Sequence, residues 1–198
     1  MKVYGTNEIK NIALIGSKGS GKTTLAEAML YECGVIKRRG TVENGNTVCD
    51  YFPVEKEYGY TVFSTMCYAE FLNKKLNVID CPGSDDFVGN AITALNVTDT
   101  GVLLIDAQYG VEVGTQNIFR VTENVKKPVI FAINQLDADN VDFENVIHQM
   151  KEVFGNKIVL VQYPINPGNG YNAMIDVLLM KMYSWGPEGG VPTISEIP

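Results

Sequence analysis

The sequence GSKGSGKT at residues 16–23 constrains this chain more than any other feature. It fits the pattern GxxxxGK[S/T] and lies between an apolar run, NIALIG at 11–16, and an amphipathic stretch, KTTLAEAMLYEC at 22–33. Small residues let consecutive backbone N–H groups curl around phosphate oxygens, and the start of the helix adds its positive end. The alternative is an ordinary glycine turn before a helix. Because a strand precedes the loop and a helix follows it, the pattern favours a phosphate-binding loop.

The residue types in this loop predict separate tasks. Lys22 is expected to reach the outer phosphates, and the Thr23 hydroxyl is expected to ligate Mg²⁺. The predicted phosphate-binding residues are Gly16, Ser17, Lys18, Gly19, Ser20, Gly21, Lys22, Thr23 and Thr24. The motif predicts binding of a nucleoside triphosphate but does not select the base.

Apolar runs alternate with amphipathic stretches along most of the chain, which predicts an α/β fold of the P-loop NTPase type. Further strands are predicted at 60–71, 75–80, 101–107, 128–134 and 157–165, and further helices near 85–96, 114–125 and 141–154. The turn between the first two of these strands is short, so they should pair antiparallel. We therefore expect a mostly parallel sheet with one antiparallel edge strand and helices on both faces.

The composition changes near residue 165, where Gly and Pro become frequent. This change predicts a nucleotide-binding domain over residues 1–164 and a partial β-rich appendage over residues 165–198. Within the appendage, GPEGG at 186–190 is expected to form a hairpin turn.

Composition narrows the class of protein. The net charge of −7 argues against a broad nucleic-acid footprint, although KRR at 37–39 could form a local basic patch or simply a solvated loop face. The four cysteines are scattered and contain no CxxC pair, which is typical of reduced thiols. No long apolar run and no apolar leader are present, so we expect a cytoplasmic protein that does not span a membrane. We also expect it to be a monomer.

The stretch NVIDCPGSDDF at 77–87 predicts a strand that ends on Asp80, followed by a turn and a helix. In nucleotide-switch proteins an Asp at this position holds a magnesium-bound water, and the Gly83 amide contacts the terminal phosphate. Ser84 stands where a side chain that positions the attacking water is usual. Taken alone, the stretch could be an ordinary strand-turn-helix corner.

The motif Asn134-Gln135-Leu136-Asp137 follows the strand at 128–134, at the edge where ligands of parallel sheets bind. The Asp137 carboxylate can accept hydrogen bonds from guanine N1–H and the 2-amino group, whereas adenine would leave it unpaired. NxxD alone is common in loops. Its order after the phosphate loop and DxxG predicts GTP and GDP rather than ATP.

Thr61 follows a long polar loop at 35–59 and is preceded by Gly59. Loops of this length inside a domain are usually functional or disordered. A Thr here can ligate Mg²⁺ and sense the γ-phosphate, although Thr is also a good strand former. The predicted magnesium site therefore combines Thr23, Thr61 in the GTP state, and Asp80 through water.

Together these residues resemble the translational GTPases, and among them elongation factor G. The resemblance covers nearly the whole chain and is carried by GKTTLAEAMLY, GYTV, DCPGSDDFVG, LLIDAQYGVEVGTQ, INQLD and QYPI…GYNAMIDVLLMKMYSW. It implies a cytoplasmic, ribosome-binding translocation factor of which this chain is an N-terminal piece. It also implies that residues 165–198 begin the insertion typical of elongation factor G, and that the segment carrying a Ser-Ala loop against guanine is missing.

Several positions depart from the pattern of the family. Ser17, Lys18 and Gly19 replace a His, an aliphatic residue and an Asp; Gln135 replaces a Lys; and Ser84 replaces a His. These departures indicate a divergent paralogue. The loss of Lys at position 135 and of the Ser-Ala loop predicts weak binding of guanine nucleotides.

Ser84 is too short to position water as His does, so hydrolysis is expected to be very slow and no catalytic residue is assigned. The single histidine, His148, is interpreted as an ordinary helix-face residue, and Asp85 and Asp86 would repel the developing charge. Three alternatives stay open: a conventional ribosome-stimulated GTPase, an ATP-dependent small-molecule kinase, and a binding module in which GTP only holds a conformation.

Overall fold

A computed structural model describes residues 2–155, 158–187 and 189–197. Its helices and strands follow in chain order: β1 Ile9–Gly16, α1 Lys22–Glu32, α2 Pro53–Tyr58, β2 Thr65–Phe71, β3 Lys74–Asp80, α3 Val88–Val97, β4 Thr100–Asp106, α4 Val113–Asn124, β5 Val129–Asn134, α5 Phe143–Phe154, β6 Gln162–Ile165, β7 Ala173–Asp176, β8 Lys181–Gly186 and β9 Gly189–Ser195. No helix in this described part has the length and apolarity needed to cross a bilayer.

The first sheet has the strand order β2-β3-β1-β4-β5. β1 pairs in parallel with both β3 and β4, while β2 pairs antiparallel with β3 at the edge. The short turn after Phe71 permits no crossover, so β2 and β3 form a hairpin. The predicted mixed sheet with one antiparallel edge strand is confirmed.

Alternate residues of β1 enter two separate apolar clusters, one on each face of the sheet. Ala13 and Ile15 pack with residues of α3 and α4, whereas Leu14 packs with residues of α1. Successive side chains of a strand point to opposite faces, so a strand covered on both sides reads as a continuous apolar run. The NIALIG run therefore reflects a central strand with helices on both faces, as predicted.

The second sheet has the order β6-β7-β8-β9 with antiparallel pairing throughout. The predicted hairpin near 186–190 is confirmed by the pairing of β8 with β9, although Glu188 itself is outside the described residues. Because this sheet is built from neighbouring segments, each strand pairs across a short connection at a low cost in loop closure.

The prediction that residues 157–165 join the first sheet is wrong. Residue 157 is outside the described part, and the strand that forms, β6, pairs with β7 in the second sheet. Pro164 lies in β6 and has no backbone N–H, so it cannot take part in hydrogen-bond ladders on both sides of a strand. This suits the position of β6 at the edge of its sheet. Within the predicted span only Gln162–Ile165 forms a strand, and the described apolar residues before it, 158–161, do not. The loop to β7 brings β6 to its partner in the second sheet.

The strand predicted at 60–71 begins only at Thr65, and the loop before it contains α2, which was not predicted. Pro53 stands at the start of α2, the Glu55 side chain accepts from the Phe52 N–H at 3.2 Å, and Gly59 ends the helix with φ of 68°. These are ordinary start and stop signals for a helix. They were missed because only six residues separate them.

The chain forms two compact units. One comprises Met1–Ile105 and Glu112–Ala132, and the other comprises Asp106–Val111 and Ile133–Pro198. The domain boundary predicted between residues 164 and 165 stays a prediction.

Candidate nucleotide-binding site

The phosphate loop connects the end of β1 at Gly16 to the start of α1 at Lys22. Gly16 has φ of 140°, and a Cβ there would lie 2.6 Å from the carbonyl oxygen of Leu104 in β4. Only glycine fits this approach of loop to strand. Gly16 therefore lets the loop turn tightly from the end of the strand into the first turn of the helix.

Lys22 is held inside the loop. Its side chain is 6% exposed, and its Nζ donates to the carbonyl oxygens of Gly16 at 3.1 Å and Ser17 at 2.7 Å. Burial lowers the pKa of this ammonium group, and the Asp80 carboxyl acts in the opposite direction. An ammonium group has three donors. Two are used by the loop, which leaves a third for a phosphate oxygen.

Thr23, Thr61 and Asp80 meet in one buried cluster. The Thr23 hydroxyl donates to Asp80 Oδ2 at 2.7 Å and lies 3.1 Å from the Thr61 hydroxyl. The structure thus brings together the three residues for which the sequence predicted a role in magnesium binding. Thr61 and Asp80 lie 38 and 57 positions after Thr23 along the chain.

Asp80 is fully buried, and its Oδ1 has no hydrogen-bond partner among the described residues. Burial raises the pKa of its carboxyl to about 7, against the lowering effects of the Thr23 hydroxyl and the Lys22 ammonium. A buried polar atom without a hydrogen-bond partner destabilises the folded state unless a bound water or ion satisfies it. The orphaned oxygen therefore indicates a place for a bound water or cation.

Asp50 is a second buried carboxylate that was missed from the sequence, and it lines a cavity together with Lys22, Thr23 and Thr61. It is 3% exposed, and neither of its carboxylate oxygens has a hydrogen-bond partner in the described part of the chain. Burial raises its pKa, and the Thr61 and Thr47 hydroxyls offset this rise without reaching hydrogen-bond geometry. No sequence signal separates Asp50 from the other polar residues of its loop.

These donors fit Mg²⁺. The ion prefers oxygen ligands in octahedral geometry and keeps several of its waters. Two hydroxyls lie 3.1 Å apart, and the nearby Asp50 and Asp80 carboxylates have unsatisfied oxygens suited to hold such waters.

Gly83 closes the cavity from the side of β3. A Cβ at this position would lie 2.8 Å from both the Lys18 amide nitrogen and the Ser17 carbonyl oxygen. The DxxG turn is therefore packed against the phosphate loop, and any side chain at position 83 would push the two segments apart. Ser84 lines the same cavity, and its hydroxyl donates to Asp86 at 3.4 Å. Position 84 thus faces the site where the sequence predicted it.

The segment before β2 is held by Glu55, whose importance was also missed. This buried carboxylate accepts from the backbone N–H groups of Val62 at 3.0 Å and Phe63 at 3.1 Å. Because these N–H groups bond a side chain, they are unavailable to a β-ladder, which explains why β2 starts late. The result is a turn that presents Thr61 to Thr23.

The predicted guanine-recognition residues lie in the second compact unit. Asn134 ends β5, and Gln135 has a left-handed backbone with φ of 60°. The loop is fixed by bonds from Ala138 N to the Gln135 carbonyl at 3.1 Å and from Gly168 N to the Leu136 carbonyl at 2.6 Å. Asp137 is exposed, so its carboxylate is accessible to a ligand.

The interpretation of His148 as a helix-face residue agrees with the structure. Its Nδ1 lies 3.6 Å from a Glu152 carboxylate oxygen, one turn along α5, and both side chains are largely exposed. Asp85 and Asp86 are exposed on the short turn of 3₁₀ helix that follows Ser84.

A glycine-rich loop that opens a helix beside a parallel sheet, with a buried carboxylate ending the neighbouring strand, defines the class of phosphate-loop nucleoside triphosphate-binding domains. Residues 7–188 match the family described as the elongation factor Tu GTP binding domain. The chain belongs to this family.

Curated relatives refine the placement within the family. The chain is 35% identical over 181 residues to an elongation factor G-like protein of Thermotoga maritima, covering 91% of this chain and 26% of the relative. It is 31% identical to elongation factor G of Petrotoga mobilis, covering 96% and 27% respectively. A mitochondrial ribosome-releasing factor 2 of Candida dubliniensis is 33% identical, with 90% and 23% covered.

The fold has a close counterpart among solved structures. A crystal structure of a Thermus thermophilus protein superimposes with a TM-score of 0.89 at 34% identity, covering 96% of this chain and 28% of that chain. The chain is an elongation factor G-like GTP-binding domain, and it spans about a quarter of the length of the relatives it matches.

Proposed function

We propose that this chain binds GTP and GDP with Mg²⁺ as the switch domain of a ribosome-associated elongation factor of the G type. The observation that carries the proposal is the buried cluster of Thr23, Thr61 and Asp80, with an unsatisfied carboxylate oxygen, directly beside the phosphate loop. The cluster joins three separate segments of sequence around hard oxygen donors. A glycine turn with no ligand would not need to bury such groups.

Each residue then has a physical task. Lys22 donates a hydrogen bond from its third N–H to an outer phosphate oxygen, and the loop amides bind the rest of the phosphate chain. Thr23 supplies a hydroxyl ligand, Asp80 and Asp50 accept hydrogen bonds from bound water, and Thr61 adds the second hydroxyl when the γ-phosphate is present. These residues would hold Mg²⁺, which would supply positive charge to offset the negative charge of the phosphates.

The guanine preference is proposed from Asp137, whose carboxylate matches two adjacent donors of the base. The ribosome as partner is proposed from the relatives, since two of them are named for elongation and one for ribosome release. Ser84 in the place of the family's His supports a further proposal, that GTP is hydrolysed very slowly and acts mainly as a conformational latch.

Thr23→Ala is expected to lower the affinity of the chain for GTP in the presence of Mg²⁺, whereas Thr23→Ser should keep it. Partners outside the first coordination shell cost about 10- to 100-fold in metal affinity when removed, so a direct ligand should cost at least as much. Calorimetry of GTP binding with Mg²⁺ and with chelator measures this. Chelation should weaken binding to the unmodified chain and to Thr23→Ser, but should have little further effect on Thr23→Ala. An equal response to chelation in all three proteins would contradict the magnesium assignment.

A further inference from the structure

The phosphate loop and the segment that carries Thr61 are joined by a contact between Lys18 and Tyr60. The Lys18 ammonium lies 3.9 Å from the centroid of the Tyr60 ring, well inside the range of about 6 Å at which a cation is attracted to an aromatic face. Both residues line the cavity that also contains Lys22, Thr23 and Thr61.

The main chain on each side of this contact is fixed by its surroundings. The Lys18 amide lies so close to Gly83 that no side chain fits there. On the other side, Glu55 holds the Val62 and Phe63 N–H groups. The Lys18 side chain is exposed at this point and reaches from the loop to the ring.

Tyr60 directly precedes Thr61, whose hydroxyl lies 3.1 Å from that of Thr23. Glu55 anchors the backbone just after Thr61, and the ring of Tyr60 anchors it just before. Gly59, the residue before Tyr60, is in the left-handed conformation that ends α2. On the side before Thr61, the Gly59 N–H donates to the Glu55 carbonyl oxygen at 2.8 Å, and the Tyr60 ring lies 6.1 Å from the Tyr58 ring. The contact with Lys18 adds a link from this segment to the phosphate loop.

We propose that Lys18 is a positioning residue that acts through Tyr60. Its ammonium holds the segment Gly59–Thr61 against the phosphate loop and so keeps the Thr61 hydroxyl beside Thr23, where the triphosphate-bound metal needs it. This role rests on the proposed function as a GTP-binding switch. It gives Lys18 a task different from that of Lys22, which serves the phosphates directly.

The contact itself can be tested without nucleotide. In the chain carrying ¹³C-labelled lysine, the Lys18 ε-protons should be shifted upfield by the ring current of Tyr60. Tyr60→Leu should abolish this shift, and Tyr60→Phe should retain it. Lys18→Met should also move the Thr61 methyl resonance, since that residue loses its support. Lys18 signals that are the same in the unmodified chain and in Tyr60→Leu, or an unmoved Thr61 methyl in Lys18→Met, would overturn the proposal whether or not nucleotide binds.

The role in nucleotide binding is tested by a double-mutant cycle on the dissociation of a fluorescent, non-hydrolysable GTP analogue. Lys18→Met and Tyr60→Leu should each speed dissociation by about 2- to 5-fold, the range expected for an exposed cation–π contact. The double variant should be no faster than either single variant. Lys18→Arg and Tyr60→Phe should rescue slow dissociation, and release of GDP, which does not require Thr61, should change less than release of the GTP analogue.

The outcomes separate this inference from the proposed function. Failure of the unmodified chain to bind any guanine nucleotide would contradict the function, and the resonance measurements would then decide the positioning role alone. Normal binding with multiplicative effects in the double variant would overturn the inference and leave the function standing, because Lys18 would then act on the phosphates independently of Tyr60.

Discussion

Asp137→Asn is expected to weaken GTP binding by about 10²- to 10⁴-fold, because two hydrogen bonds to a charged acceptor are lost at about 1.5–3 kcal/mol each. The Asn amide group would face a guanine donor with a donor of its own. Xanthine carries an oxygen in place of the 2-amino group, so the variant should bind XTP better than the unmodified chain does. Displacement of a fluorescent GDP analogue by GTP and XTP measures both changes.

Asp139→Asn is the matched control for this substitution. Asp139 is an exposed carboxylate two residues further along the same loop, and its backbone oxygen, which the substitution keeps, accepts from Gln108 at 2.8 Å. The Asp139→Asn variant should bind GTP with the same affinity as the unmodified chain. Equal GTP affinity in Asp137→Asn and Asp139→Asn would show that Asp137 does not select the base.

Ser84→His is expected to raise GTP hydrolysis by about 10²- to 10³-fold in the presence of ribosomes, by analogy with the effect of removing one transition-state contact. Phosphoryl transfer to water depends on positioning the water and on stabilising charge, and an imidazole can do both. Ser84 lines the cavity, but its hydroxyl is directed to Asp86 at 3.4 Å. Phosphate release under multiple turnover, with and without ribosomes, gives the rate.

Ser84→Ala serves as the reference for this prediction. If the Ser84 hydroxyl plays no part in hydrolysis, its removal should leave the rate unchanged. A rate in the unmodified protein as high as in Ser84→His, or a large fall in Ser84→Ala, would show that the site already has a working catalytic group.

The local motifs and the class of fold could be predicted from the sequence because each has a short-range physical cause. The phosphate loop needs small residues between a strand and a helix, and the run NIALIG marks a strand covered on both faces. Gly83 was expected to approach a phosphate, and the structure adds that it also packs against the loop backbone at Lys18.

What could not be predicted depends on contacts between distant residues. Asp50 and Glu55 look like ordinary charges in a polar loop, but both are buried, and Glu55 accepts three backbone N–H groups. Lys18 was predicted as a phosphate-binding residue and as a departure from a family pattern, but its contact with Tyr60 requires the folded loop. The apolar run that predicted a strand at 157–165 mostly precedes β6, and no local feature of the sequence indicated which sheet β6 would join.

The most direct test of the account is competition between GTP and ATP for the chain in the presence of Mg²⁺, measured by displacement of a fluorescent GDP analogue. A site built to hydrogen-bond one base rejects an analogue that leaves its polar groups unpaired, in favourable cases by about 10⁴-fold or more. We expect GTP to displace the probe at a concentration at least about 100-fold lower than ATP does. Displacement by ATP at an equal or lower concentration would contradict the assignment of this chain as a GTP-binding switch.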